Sequence, residues 1–150
     1  MLPLSCGIWL KSALQMMARD DGSDGPAEAP ARPAVLIVED EVLNAWHLAH
    51  VFKANGCDVM GPAGSLEAAW ALIEDRTPDA AILDVNIRGK PVFPIARRLA
   101  ELGVPLVFAT AHAREDAIWP SDLADHPRLQ KPFLEDRLVR IVKALVADRD

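Results

Sequence analysis

From residue 34 onward, short apolar runs alternate with longer amphipathic ones. Ala34-Val35-Leu36-Ile37-Val38 is unbroken and rich in branched side chains, the pattern of a strand covered on both faces. Residues 41–55 then place Val42, Ala45, Leu48, Ala49 and Phe52 at helical spacing, and Asn55-Gly56 supplies a stop. CDVMGPA (57–63) alternates as an edge strand does. Ser65 ahead of 67–73 predicts a capped helix, ended by Thr77-Pro78. DAAILDV (79–85) predicts a third strand, NIRGKPVF (86–93) a loop, and Pro94 to Leu102 a helix with Pro in its first turn and Gly103 past its end. VPLVFAT (104–110) is a fourth strand. Pro120 and Pro127 leave room for only a short helix in 111–127. RLQKPF (128–133) holds a brief fifth strand, and the closing helix puts Leu134, Leu138, Ile141, Val142 and Leu145 on one face.

Buried strands alternating with helices predict an α/β fold, a doubly wound parallel sheet with helices on both faces and right-handed crossovers. Ligands of such sheets sit beyond the carboxyl ends of the strands. There the chain carries its chemistry: Glu39 and Asp40 end the first strand, Asp84 the third, Thr110 the fourth, and Lys131 follows the fifth. Carboxylates this close raise one another's pKa and favour neutralisation. Glu39, Asp40 and Asp84 bring −3; Lys131 and one divalent cation bring +3. Hard oxygen ligands with open positions suit Mg²⁺.

Ahead of this region, residues 20–33 are rich in Gly, Pro, Ala and acid, which predicts a linker. The domains are therefore read as an extension over 1–33, disordered or partly helical, and one folded domain over 34–150. The first residues are moderately apolar, but Lys11 interrupts them, no basic segment precedes them, and they fall short of the about 20 apolar residues of a membrane span. With 150 residues and a net charge of −6, the chain suits one domain and lacks the basic face of a general nucleic-acid binder. Its cysteines, Cys6 and Cys57, have neither zinc nor CxxC spacing. The expectation is a cytoplasmic protein without nucleic-acid or membrane partners.

VLIVEDE, ILDVNIRG, VFATAH and LQKPF follow in this order, with Asp40, Asp84, Thr110 and Lys131 separated by 44, 26 and 21 residues. Over about residues 34–148 this resembles the receiver domain of two-component response regulators. The resemblance implies a flavodoxin-like strand order 2-1-3-4-5. Asp84 would be the phosphoacceptor. Asp40 and Asp84 would ligate Mg²⁺ directly, Asn86 through its backbone carbonyl, and Glu39 largely through water. Thr110 and Lys131 would meet the phosphoryl oxygens, with a cis Lys131-Pro132 peptide aiming the ammonium at the pocket. The implied partners are a sensor histidine kinase or histidine phosphotransfer protein, an unidentified output protein, and a second copy of the chain. Because the sequence stops after its last helix, a receiver of the stand-alone kind is expected.

Taken singly, an acid pair after a strand is most often a helix cap and a solvated first turn; the four motifs together argue otherwise. A phosphatase with an aspartyl nucleophile is disfavoured, since Asn86 stands where such enzymes carry a second acid and cannot act as one. A receiver-like interaction module that is never phosphorylated is the alternative, motivated by Arg128, which replaces an aromatic usual three residues before the motif lysine and needs a partner to bury. Trp46, Trp70 and Trp119 are expected to pack, Cys57 to be a small buried apolar residue, and His47 and His50 to be solvated. Asn86 and His112 flank the phosphoryl position and would admit a hydrolytic water.

Overall fold

The structure, a computed structural model, describes residues 31–149. The expected extension over 1–33 lies outside these apart from its last residues. In chain order the elements are β1 (Ala34–Val38), α1 (Val42–Ala54), β2 (Asp58–Ala63), α2 (Leu66–Asp75), β3 (Ala80–Leu83), β4 (Asn86–Ile87), β5 (Lys90–Pro91), α3 (Phe93–Glu101), β6 (Leu106–Thr110), β7 (Arg128–Gln130) and α4 (Glu135–Arg149). β1, β3 and β6 are buried along their whole length, as unbroken apolar runs require of central strands. The edge strands β2 and β7 are buried only in part. All pairings in the main sheet are parallel, in the order β2-β1-β3-β6-β7. Setting the small β4–β5 hairpin aside, this is the expected 2-1-3-4-5.

Side chains of successive strand residues feed two cores. Leu36, Leu83 and Phe108 pack with Ile73 of α2 and with Ile95 and Leu99 of α3. Val35, Ile37 and Ile82 pack with Phe52 of α1 and with Leu138 and Val142 of α4. Phe52 and Phe108 are wholly buried, a gain of about 1.5–3 kcal/mol each over exposure. The Ser65 hydroxyl accepts the Ala68 N–H and caps α2 as expected. Gly61 holds φ +92° where the β1–β2 register shifts, and a Cβ there would lie 2.6 Å from the Ala63 nitrogen; only glycine fits.

Some expectations are corrected. Trp46 is 69% exposed. The buried stripe of α1 runs through Ala45, Leu48, Ala49 and Phe52, and Trp46 is turned about 100° from it, stacked instead on His50. Val42 is exposed as well, because the first turn of α1 starts past the end of β1. Leu134 precedes α4 and is exposed, so the buried face of that helix is Leu138, Val139 and Val142. Residues 111–127 form no α-helix but two single 3₁₀ turns, Asp116–Ile118 and Ser121–Leu123. The loop after β3 contains the unforeseen β4–β5 hairpin.

Candidate functional site

Three backbone hydrogen bonds carry the sheet one residue beyond its strands. The N–H of Glu39 bonds to the Ala63 carbonyl, that of Asp84 to Val38, and that of Lys131 to Thr110, at 2.9, 3.0 and 2.9 Å. Pleat and ladder thus fix where these side chains leave the backbone. Glu39, Asp40 and Asp84 each offer an oxygen within 4.8 Å of the others. With Asn86, His112 and Lys131 they line a cavity of about 330 Å³.

The Lys131 ammonium donates to Glu39 Oε2 at 2.8 Å and to Asp84 Oδ2 at 3.0 Å. The other Glu39 oxygen accepts the Glu41 N–H, and the other Asp84 oxygen accepts the Val85 N–H. Asp40 is held differently. Its Oδ2 accepts the N–H of Arg88 at 2.8 Å. Arg88 and Gly89 are the two turn residues of the β4–β5 hairpin, at φ +53° and +80°, as a type I′ turn requires. The Asn86 side chain braces the turn by accepting the Gly89 N–H. Lys131-Pro132 is cis.

Burial pushes the Glu39 carboxyl above the usual range; the Lys131 bond pulls it back and the Asp84 charge adds to the rise. For Lys131, burial works against the ammonium, but its hydrogen bonds to Glu39 and Asp84, with their charges, prevail and hold its pKa above that of an ordinary lysine. Three carboxylates against one ammonium leave −2, the charge a divalent cation cancels. Magnesium–oxygen bonds of about 2.1 Å put octahedral oxygens about 3 to 4 Å apart, so the oxygens, within 4.8 Å of one another, lie close to such a shell. The donor set fits Mg²⁺.

Thr110 is fully buried at the end of β6. Its hydroxyl accepts the His112 N–H, and Thr110 is not among the residues lining the cavity. Arg128 has the partner that burial demands. Its guanidinium stacks 4.2 Å over Trp119 and donates to the Ala113 carbonyl and to Asp116. Trp119 packs edge-on against Phe108 and donates its indole N–H to the His112 carbonyl. His47 pairs with Glu135 across α1 and α4. Cys57 is buried, which raises its thiol pKa and leaves it unreactive. The contribution of Arg88 is made by its backbone, so no side-chain motif announces it.

A family profile described as response regulator receiver domain matches residues 35–143. The sensory transduction protein LytT of Bacillus subtilis is 35% identical over 113 residues, 73% of this chain and 46% of LytT. The transcriptional regulatory protein PdtaR of Mycobacterium tuberculosis is 31% identical over 127 residues, 83% of this chain and 61% of PdtaR. The chain thus spans about half the length of these relatives. The solution structure of SdrG from Sphingomonas melonis matches with a TM-score of 0.65 at 39% identity, covering 79% of this chain and 99% of that one. A CheY-like receiver from Methanospirillum hungatei shares the fold, with a TM-score of 0.71 at 17% identity and coverage of 79% and 97%. With motifs, sheet order and profile in agreement, the chain belongs to the response regulator receiver family.

Proposed function

We propose that this receiver accepts a phosphoryl group on Asp84 from a histidine kinase or a histidine phosphotransfer protein, and passes the signal on through protein contacts. The observation that carries the reading is Lys131, bonded to both Asp84 and Glu39 inside a three-carboxylate cluster. Receiver domains generally bind Mg²⁺ at such a pocket. Here Asp40 and Asp84 would hold the ion directly, Asn86 through its carbonyl and Glu39 through water, and the ion would offset negative charge on the transferred group.

The chain's own residues do the rest. An Asp84 oxygen attacks phosphorus; the oxygen–phosphorus bond forms as the phosphorus–nitrogen bond of a phosphohistidine breaks, and the electron pair returns to the imidazole. Lys131, held charged by its surroundings, faces the transferred oxygens and needs no proton transfer. The Thr110 hydroxyl, buried here and accepting from His112, would turn toward the cavity and donate a hydrogen bond to a phosphoryl oxygen. Glu39 positions Lys131. The protein turns over no external substrate in this reading and acts as a phosphoryl-dependent switch. Its setting is the cytoplasm, where kinase, output protein or a second copy of the chain can reach it; no helix among the described residues is long and apolar enough to cross a membrane.

Acetyl phosphate with Mg²⁺, followed by a phosphate-affinity gel, tests the proposal. A shifted band is expected for the native protein and none for Asp84→Asn. A native protein that never shifts favours the unphosphorylated module instead, and a shifted Asp84→Asn removes Asp84 as the acceptor.

A further inference from the structure

Gln130 ends β7 and is not among the residues lining the cavity over Asp84. Its amide nevertheless ties two of them together. The Nε2 group donates to the Ala111 carbonyl at 2.8 Å and to the Lys131 carbonyl at 3.1 Å, and both Ala111 and Lys131 line that cavity. A carboxamide nitrogen carries two hydrogens, and this pair of bonds uses both. The partners also fix which way the amide points, since two carbonyls can face only its NH₂ end.

Stability alone does not account for this clip. Ala111 is exposed and Gln130 half-buried, and a carbonyl that water can reach gains little from an amide in water's place. What water cannot supply is a set distance between the two acceptors. The backbone supplies little of it. β6 and β7 pair over three residues, ending at Thr110 opposite Gln130. One further ladder bond runs from the Lys131 N–H to the Thr110 carbonyl, and Pro132 has no N–H with which to continue. Beyond that point both segments leave the sheet, and the Gln130 amide spans them at the cavity wall.

We propose that Gln130 is a positioning residue for phosphoryl transfer: by holding Ala111 and Lys131 at one separation, it keeps the Lys131 ammonium on Asp84 and the space beside Ala111 open to the incoming group. This inference rests on Asp84 being the phosphoacceptor, and adds a residue that touches neither the phosphoryl group nor the ion. Transfer depends on placing charges rather than on covalent chemistry elsewhere in the protein, so a small displacement of the ammonium slows it. Glu39, Asp40 and Asp84 follow β1 and β3, away from the clip, so the cation position does not depend on it.

Two variants of the full chain test the role. Gln130→Met keeps the length of the side chain and removes both donors. Gln130→Glu keeps its shape and turns only acceptors toward the two carbonyls. In time courses with acetyl phosphate and saturating Mg²⁺, read on a phosphate-affinity gel, both should be phosphorylated about tenfold more slowly than the native protein, the scale set by two neutral hydrogen bonds. Their Mg²⁺ affinity, followed by thermal shift, should equal the native value. A second readout needs no phosphorylation. In heteronuclear NMR spectra of the lysine ammonium groups, native Lys131, bonded to Glu39 and Asp84, should stand apart from the exposed lysines, and in Gln130→Met it should move toward them. Variants that react at the native rate overturn the role of Gln130 and leave Asp84 as the acceptor. So does an unmoved Lys131 signal, or Mg²⁺ binding that weakens as much as the rate falls, which marks a general loosening. A native protein that takes up no phosphoryl group overturns the acceptor reading itself, and the role built on it, whatever the spectra show.

Discussion

Lys131 and Glu39 lie 92 positions apart in the chain and 2.8 Å apart in space. Glu39 is only 3% exposed, so the ammonium at the end of the chain's last strand neutralises a carboxylate at the end of its first. Lys131→Met would leave that carboxylate buried beside Asp84 and unpaired. Breaking a fully buried pair costs about 3–5 kcal/mol; with Lys131 partly open to solvent, a loss of about 2 kcal/mol is expected, read by urea denaturation at neutral pH.

The same pair sets a pH dependence. The folded-state pKa of Glu39 is raised, first by burial. A raised carboxyl contributes stability that is complete below its unfolded value and lost as pH rises through the folded one. The window therefore opens just above the ordinary carboxylate range, and neutral pH lies on its unfavourable side. Glu39→Gln without Mg²⁺ should be more stable than the native protein at pH 7 and gain nothing at pH 4. Lys131 also has a raised pKa, but its contribution is whole below the ordinary lysine value and fades only at strongly alkaline pH. Denaturation midpoints across pH check both.

Mg²⁺ should stabilise the native fold by about 1.4 kcal/mol when present at tenfold its dissociation constant. The gain should vanish in Asp40→Ala. Thermal shifts with Mg²⁺ and with a chelator measure this, and K⁺ at equal ionic strength provides the control.

Arg88 allows a sharper test of the hairpin. Its positive φ costs about 1–2 kcal/mol for a residue with a Cβ, and its N–H is bonded to Asp40. Arg88→Val, branched at Cβ, should lose about 1 kcal/mol of stability and bind Mg²⁺ more weakly. Arg88→Gly should keep both. Equal Mg²⁺ affinities in the two variants would separate the turn from the metal position.

Asn86 and His112 both border the cavity beside Asp84. Replacing both by leucine should lengthen the lifetime of the phosphorylated form, followed as decay of the shifted gel band. An unchanged decay rate would assign the hydrolytic water to another route.

The main sheet was readable because β1, β3 and β6 are buried on both sides and must be apolar from end to end. The mouth was readable because a carboxylate directly after such a run has nowhere to go but the sheet's edge, as with Asp84 after Ala80–Leu83. Other features depend on tertiary neighbours. Trp46 has the hydropathy of a core residue, yet its angular offset from Ala45 turns it outward. The Arg88-Gly89 turn hides behind an arginine where asparagine is the usual signal. Arg128 looked unable to bury until Trp119 supplied its ring, and that pairing crosses a loop with no periodicity to read.

The central claim is that Asp84, backed by Lys131, takes the phosphoryl group. The most direct measurement treats the protein with acetyl phosphate and Mg²⁺, reduces it with borohydride, and maps peptides by mass spectrometry. Reduction of an aspartyl phosphate leaves homoserine at its position. Homoserine at position 84 only, and much less of it in Lys131→Met, is the predicted result; homoserine at another aspartate, or none with Mg²⁺ bound, contradicts the account.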